Sequence, residues 1–138
     1  MNQTRWLVAL AASLCAYGAA GSSVARAQNV VPGNAATGEA LYSRCLACHA
    51  LAYDRTGPRH CGLFGRRAGS VPGYAYSQAM KESKIVWDDE SLNLFLKSPM
   101  EAVPGTSMGY AGISSGQERA DVIAYLKKEN ASATCADR

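Results

Sequence analysis

The chain has 138 residues, a formal net charge of +3 at pH 7 and a hydrophobic share of 48%, which is enough for one domain with one core and leaves no length for a second. No stretch offers the roughly 18 or more consecutive apolar residues of a membrane-spanning helix, so no stable membrane insertion is expected. Taken in order, the chain begins with an address. Arg5 supplies a positive end, Trp6 to Ala20 is mostly apolar, and Ala25-Arg26-Ala27 is a small-x-small cleavage pattern. The alternative, a short hydrophobic helix retained in the fold, suits this Ala/Ser-rich run less well. Leu14 before Cys15 is too large for a lipoprotein cleavage site. Residues 1–27 therefore read as a cleaved signal peptide and residues 28–138 as a single domain in the periplasm. Their removal takes away Arg5 and Arg26 and no acid, which lowers the formal charge to +1. So nearly neutral a chain is not expected to bind nucleic acid.

Asn34 can cap a helix from Ala35 to about Leu46, with Leu41, Tyr42 and Cys45 on neighbouring turns. Gly38 inside it suggests a close backbone approach by another element, or a merely tolerated glycine. Residues 50–73 hold too many glycines and prolines for a long helix or a strand and read as a shaped loop. A short helix is expected within Tyr74 to Lys84, capped by Ser77. Asp88-Asp89-Glu90 opens another, with Leu92, Phe95 and Leu96 as its apolar stripe and Pro99 as its stop. Residues 99–115 read as a second breaker-rich loop. Ser115 to Glu118 has the form of a capping box, followed by Val122, Ile123, Tyr125 and Leu126 at helical spacing and Lys127-Lys128 near the negative end. No repeat and no strand alternation is present, so the chain is all-α with long loops. Loops of that length inside a small domain usually serve a function, and a large, flat, apolar cofactor would explain them.

Cys45-Leu46-Ala47-Cys48-His49 has the form of a c-type haem attachment site, two thiols for thioether bonds and an imidazole for the iron. A CxxC pair could also be a redox dithiol or half of a zinc site. The first lacks a βαβ context. The second lacks two further ligands at workable spacing, since His60 and Cys61 are adjacent. A haem iron can take a thioether as its second axial ligand, and Met80, Met100 and Met108 are the candidates outside the leader. Met80 and Met100 have ordinary packing as their alternative role, and Met108 lies in a turn-rich loop. With Cys15 removed and Cys45 and Cys48 assigned, Cys61 and Cys135 remain, an even remainder that suggests a disulfide in an oxidising compartment.

From Gly33 to Asn130 the chain closely resembles class I cytochromes c of the mitochondrial and bacterial cytochrome c2 type. The stretches that carry the resemblance are CLACH at 45–49, TGP at 56–58, GLFGRRAG at 62–69, PGYAYS at 72–77, IVW at 85–87, PGTSM at 104–108 and ERADVIAYLKK at 118–128. It implies a cytochrome c fold of three main helices, with short helices and long loops, around one covalent haem c ligated by His49 and Met108. It further implies that the Pro58 carbonyl orients His49 and that Arg66, Tyr76, Trp87 and Thr106 bond the haem propionates. Gly38 and Tyr42 would pack on the last helix near Tyr125 and Leu126. Two positions depart from the pattern: Phe95 stands where the family usually has tyrosine and Met80 where it often has asparagine, which implies a drier pocket. His60 reads as a loop histidine.

With both axial positions filled, the expected activity is one-electron transfer and not enzymatic catalysis, by a monomer that meets redox protein partners (an oxidase, reductase or dehydrogenase) at an exposed haem edge near Cys48, Ser107, Gly109 and Tyr110. The alternatives are an electron-transfer subunit of a larger dehydrogenase complex and, if Met108 does not ligate, an open-site haem enzyme or gas sensor. Ser107, Met100 and Glu101 stand where mitochondrial relatives place lysines, so steering should be weak.

Overall fold

A computed structural model describes residues 31–136, so the expected leader at 1–27, with Cys15, lies outside them. The described residues form six helices: α1 Ala35–Tyr42, α2 Gln78–Glu82, α3 Asp89–Lys97, α4 Pro99–Ala102, α5 Gly116–Asn130 and α6 Ala133–Ala136. Among these residues there is no strand, only one isolated antiparallel bridge between Arg67 and Val86. No helix among them is long and apolar enough to cross a membrane.

The frame is the crossing of α1 and α5. The Asn34 side chain accepts from the amides of Ala36 and Thr37, satisfying donors that a helix start leaves unpaired. The Asn34 amide in turn donates to Asp121 Oδ1 at 2.7 Å, and Gln117 Nε2 donates to the same oxygen at 2.9 Å. A buried carboxylate is thereby satisfied near the positive end of α1. Gly38 is where the two backbones touch: a Cβ there would lie 1.9 Å from the Asp121 carbonyl oxygen. The glycine is required, not tolerated. Further along, Tyr42 packs on Tyr125 with ring centroids 5.1 Å apart.

Helix α3 opens on a reciprocal box in which Asp88 accepts from the Ser91 amide and the Ser91 hydroxyl bonds the Asp88 amide. Leu92, Phe95 and Leu96 are its buried face. Arg119 of α5 reaches back to Asn93 Oδ1 at 2.8 Å and to the carbonyls of Ile113 and Ser114 at 2.7 and 2.8 Å. This buried cation fixes the loop that enters α5.

Several boundaries differ from expectation. Helix α1 ends at Tyr42 instead of near Leu46, and residues 43–48 continue as turns. Residues 78–82 alone of the 74–84 segment are helical, with Ser77 as N-cap. The expected loop over 99–115 contains α4, whose first residue is Pro99, a position where proline's missing N–H costs nothing. At α5 the box is half formed. Ser115 accepts from the Glu118 amide, but the Glu118 carboxylate turns outward to Arg44 at 2.9 Å.

Candidate functional site

The turn that follows α1 builds the first wall of the site. The amides of Cys48 and His49 both donate to the Cys45 carbonyl, at 3.1 and 2.8 Å. This folds the pentapeptide into one tight turn with Cys45 half-buried, Cys48 exposed and His49 buried. Burial pushes the Cys45 thiol pKa up. His49 Nδ1 lies 2.7 Å from the Pro58 carbonyl oxygen. A carbonyl only accepts, so Nδ1 carries the proton and Nε2 keeps its lone pair. Burial lowers the His49 pKa, an effect the Pro58 bond partly opposes. Gly57 lies so close that a Cβ there would be 2.3 Å from His49 Cε1.

The Pro104–Met108 segment supplies another wall. Gly105 takes a φ of +88°, which turns the chain, and the Met108 amide bonds Thr106 Oγ1 at 3.3 Å. Between these walls lies a cavity of about 530 Å³ lined by Cys45, Cys48, His49, Pro58 and Met108, a volume within the ~300–1,000 Å³ of small-molecule sites. Met80 also lines it, from α2, while Met100 is 51% exposed on α4. Two of the three methionines thus border the cavity.

Arg66, Tyr76, Trp87 and Thr106 all line the same cavity. Trp87 and Arg66 are brought together by backbone pairing between two loops, Gly65 amide to Trp87 carbonyl at 2.8 Å and Trp87 amide to Arg66 carbonyl at 3.0 Å. Arg66 spends part of its donor fork inside the protein, on the carbonyls of Cys61 at 2.9 Å and Arg59 at 3.0 Å. Tyr76 packs edge-on against Tyr74, and Trp87 against Phe95 at 5.0 Å. Phe95 and Met80 are buried at the cavity wall, 7% exposed each. Exposed Cys48, Ser107 and Gly109, with half-buried Tyr110, border it toward solvent. Behind it, Cys61 and Cys135 form a disulfide, Cα–Cα 5.1 Å, that joins α6 to the loop.

His60, read from the sequence as a loop histidine, makes a contact that sequence reasoning missed. Its ring lines the cavity and stacks on His49. No local pattern marks it, because a single histidine in a breaker-rich loop carries no sign of the ring it will meet.

The cytochrome c family profile matches residues 35–129. The chain belongs to the cytochrome c family. It is 50% identical over 98 residues to cytochrome c of Euglena viridis, covering 69% of this chain and 96% of that one. It is 42% identical over 101 residues to cytochrome c2 of Blastochloris viridis, covering 71% and 80% respectively. Among solved structures, cytochrome cH from Methylobacterium extorquens superposes with a TM-score of 0.68 at 42% identity, covering 70% of this chain and 99% of that one. The fold is the all-α cytochrome c fold, and the resemblance to class I c-type cytochromes is a membership.

Proposed function

We propose that the protein is an exported, monomeric one-electron carrier holding a single haem c, bound through Cys45 and Cys48 and ligated by His49 and Met108. The observation that carries this reading is one cavity bordered by both thiols, by an imidazole whose Nε2 lone pair is left open by the Pro58 bond, and by a thioether. That donor set fits haem c: sulfur for the vinyl groups, nitrogen and sulfur for the iron. Family membership supports a haem c electron carrier.

When bound, the haem supplies an iron that cycles between Fe(II) and Fe(III). The chain's residues do the rest. His49 and Met108 would hold the iron and leave it no position for substrate, and a thioether ligand raises the reduction potential. Pro58 holds the imidazole in the metal-binding tautomer. Arg66, Tyr76, Trp87 and Thr106 offer donors to the two propionates, which need partners once buried. Leu92, Phe95, Leu96 and Met80, which line the cavity, would keep water from the iron. Cys48, Ser107, Gly109 and Tyr110 form the rim at which an oxidase, reductase or dehydrogenase would dock through a small transient interface. The address at residues 1–27 would place the carrier in the periplasm. The test is mass spectrometry and voltammetry of the exported protein. One haem retained after denaturation and one reversible one-electron wave are expected; a cofactor lost on denaturation, or no wave, contradicts the reading.

A further inference from the structure

His60 has no part in the function just proposed, yet its ring lies against His49 and its backbone is held on several sides. The two rings stack with centroids 4.4 Å apart and planes 19° from parallel. Tyr42 Oη lies 2.9 Å from His60 Nδ1, and Tyr42 is itself 2% exposed. The backbone of His60 is fixed from several sides. Its amide donates to the carbonyls of Ala50 and Leu51, and its carbonyl accepts from Asn130 Nδ2 at 3.1 Å. Arg66 binds the carbonyls on either side of it, Arg59 at 3.0 Å and Cys61 at 2.9 Å, and Cys61 is bridged to Cys135.

Such a clamp has a mechanical consequence at His49. A single hydrogen bond from Nδ1 to Pro58 fixes the direction of that N–H but lets the ring rock about the bond axis. A second flat ring lying nearly parallel against it removes that freedom. The plane of an axial imidazole sets how its π orbitals overlap the iron d orbitals, so restricting the plane restricts the electronic state of the metal. Groups that orient a metal's ligands also tune the metal.

Resting on the reading of His49 as an iron ligand, we propose that His60 is a positioning residue for it: held by Tyr42, the His60 ring fixes the plane of the His49 imidazole and thereby the electronic state and potential of the haem iron. A mere buried Tyr–His pair would contribute to stability and leave the iron alone.

The test uses the exported holoprotein and the variants His60→Leu, His60→Phe and Tyr42→Phe. The readouts are the g values of the oxidised form, the paramagnetically shifted haem-methyl resonances, the potential by voltammetry and the thermal midpoint. Leucine should shift the g anisotropy, the methyl pattern and the potential. Phenylalanine, which keeps a flat ring, should return most of the parent g values. Tyr42→Phe should move them in the same direction as leucine and less far. Leucine and Tyr42→Phe proteins with parent g values and methyl pattern but lowered midpoints would overturn the proposal, as would a phenylalanine variant displaced as far as leucine. If His60→Leu yields no holoprotein, Tyr42→Phe with unmoved g values overturns it alone. A parent protein that is high-spin contradicts the axial ligation itself, a result distinct from a low-spin parent with unmoved variants.

Discussion

At His49, two neighbours without functional side chains decide what the ring can do. The Pro58 carbonyl selects the tautomer at 2.7 Å, and Gly57 lets the chain pass where any Cβ would fall 2.3 Å from Cε1. Gly57→Ala should therefore push on a ring that cannot retreat, lowering stability by about 1–3 kcal/mol, the usual range for overpacking. Chemical denaturation of the purified protein checks this, and a midpoint equal to the parent's would contradict the close approach. Residues of this kind divide cleanly in how far they can be read in advance. Cys45, Cys48 and His49 are legible because their chemistry is in their spacing. Gly57 is legible only as part of a Thr-Gly-Pro match, and its reason is a through-space contact that no local pattern contains. His60 is illegible for the same reason, since a lone histidine in a loop shows nothing of the ring it will lie against.

Among the elements, the α1–α5 crossing depends on Gly38, where a Cβ would meet the Asp121 carbonyl at 1.9 Å and the Tyr125 Cβ at 2.9 Å. Gly38→Ala should cost about 1–3 kcal/mol or more, whereas Gly116→Ala, whose nearest neighbour is the end of the Arg119 side chain at 3.6 Å, should be neutral or slightly stabilising. Thermal unfolding of the pair decides it, and equal midpoints would reject the close packing. At α3 the cap is charged. Hydrogen bonds from the Ser91 amide and hydroxyl hold the Asp88 carboxyl below its ordinary pKa of 3.8. A depressed folded-state pKa means the carboxylate stabilises the fold above 3.8, and that this stabilisation is lost as pH falls through the lower folded value. Asp88→Asn should therefore flatten the acid limb of the stability curve below about pH 4; parallel acid limbs for variant and parent would contradict it. The helix starts at Asn34, Ser77 and Ser115 are legible as caps, and the start of α3 as a run of acids, with the capping role of Asp88 shown by the structure. The end of α1 is not legible, because its apolar pattern runs on into a turn. Helices α4 and α6, four residues each, are too short to show a period and form because the packing around them allows it.

On the scale of the molecule, the core is a shell around a cavity, which is why so small a chain has such long loops. The Cys61–Cys135 bridge closes a span of 74 residues and ties the segment beside His49 to the C-terminal end. Replacing both cysteines with alanine should cost at most about 4 to 5 kcal/mol in the chain-entropy picture, read as a lower midpoint without reductant and none of the parent's sensitivity to reductant; a double variant as stable as the parent would reject a structural role. The all-α class was legible because caps and breaker-rich loops agree with one another. The shape of the cavity was not, because it is made by contacts between loops far apart in sequence, such as Gly65 to Trp87. The central claim is that His49 and Met108 close the iron from both sides. The most direct measurement is the optical and near-infrared spectrum of the oxidised holoprotein beside that of Met108→Ala. A low-spin parent with the sulfur-to-iron charge-transfer band, and a variant that loses the band, are predicted; a high-spin parent, or a band that survives in Met108→Ala, would contradict the account.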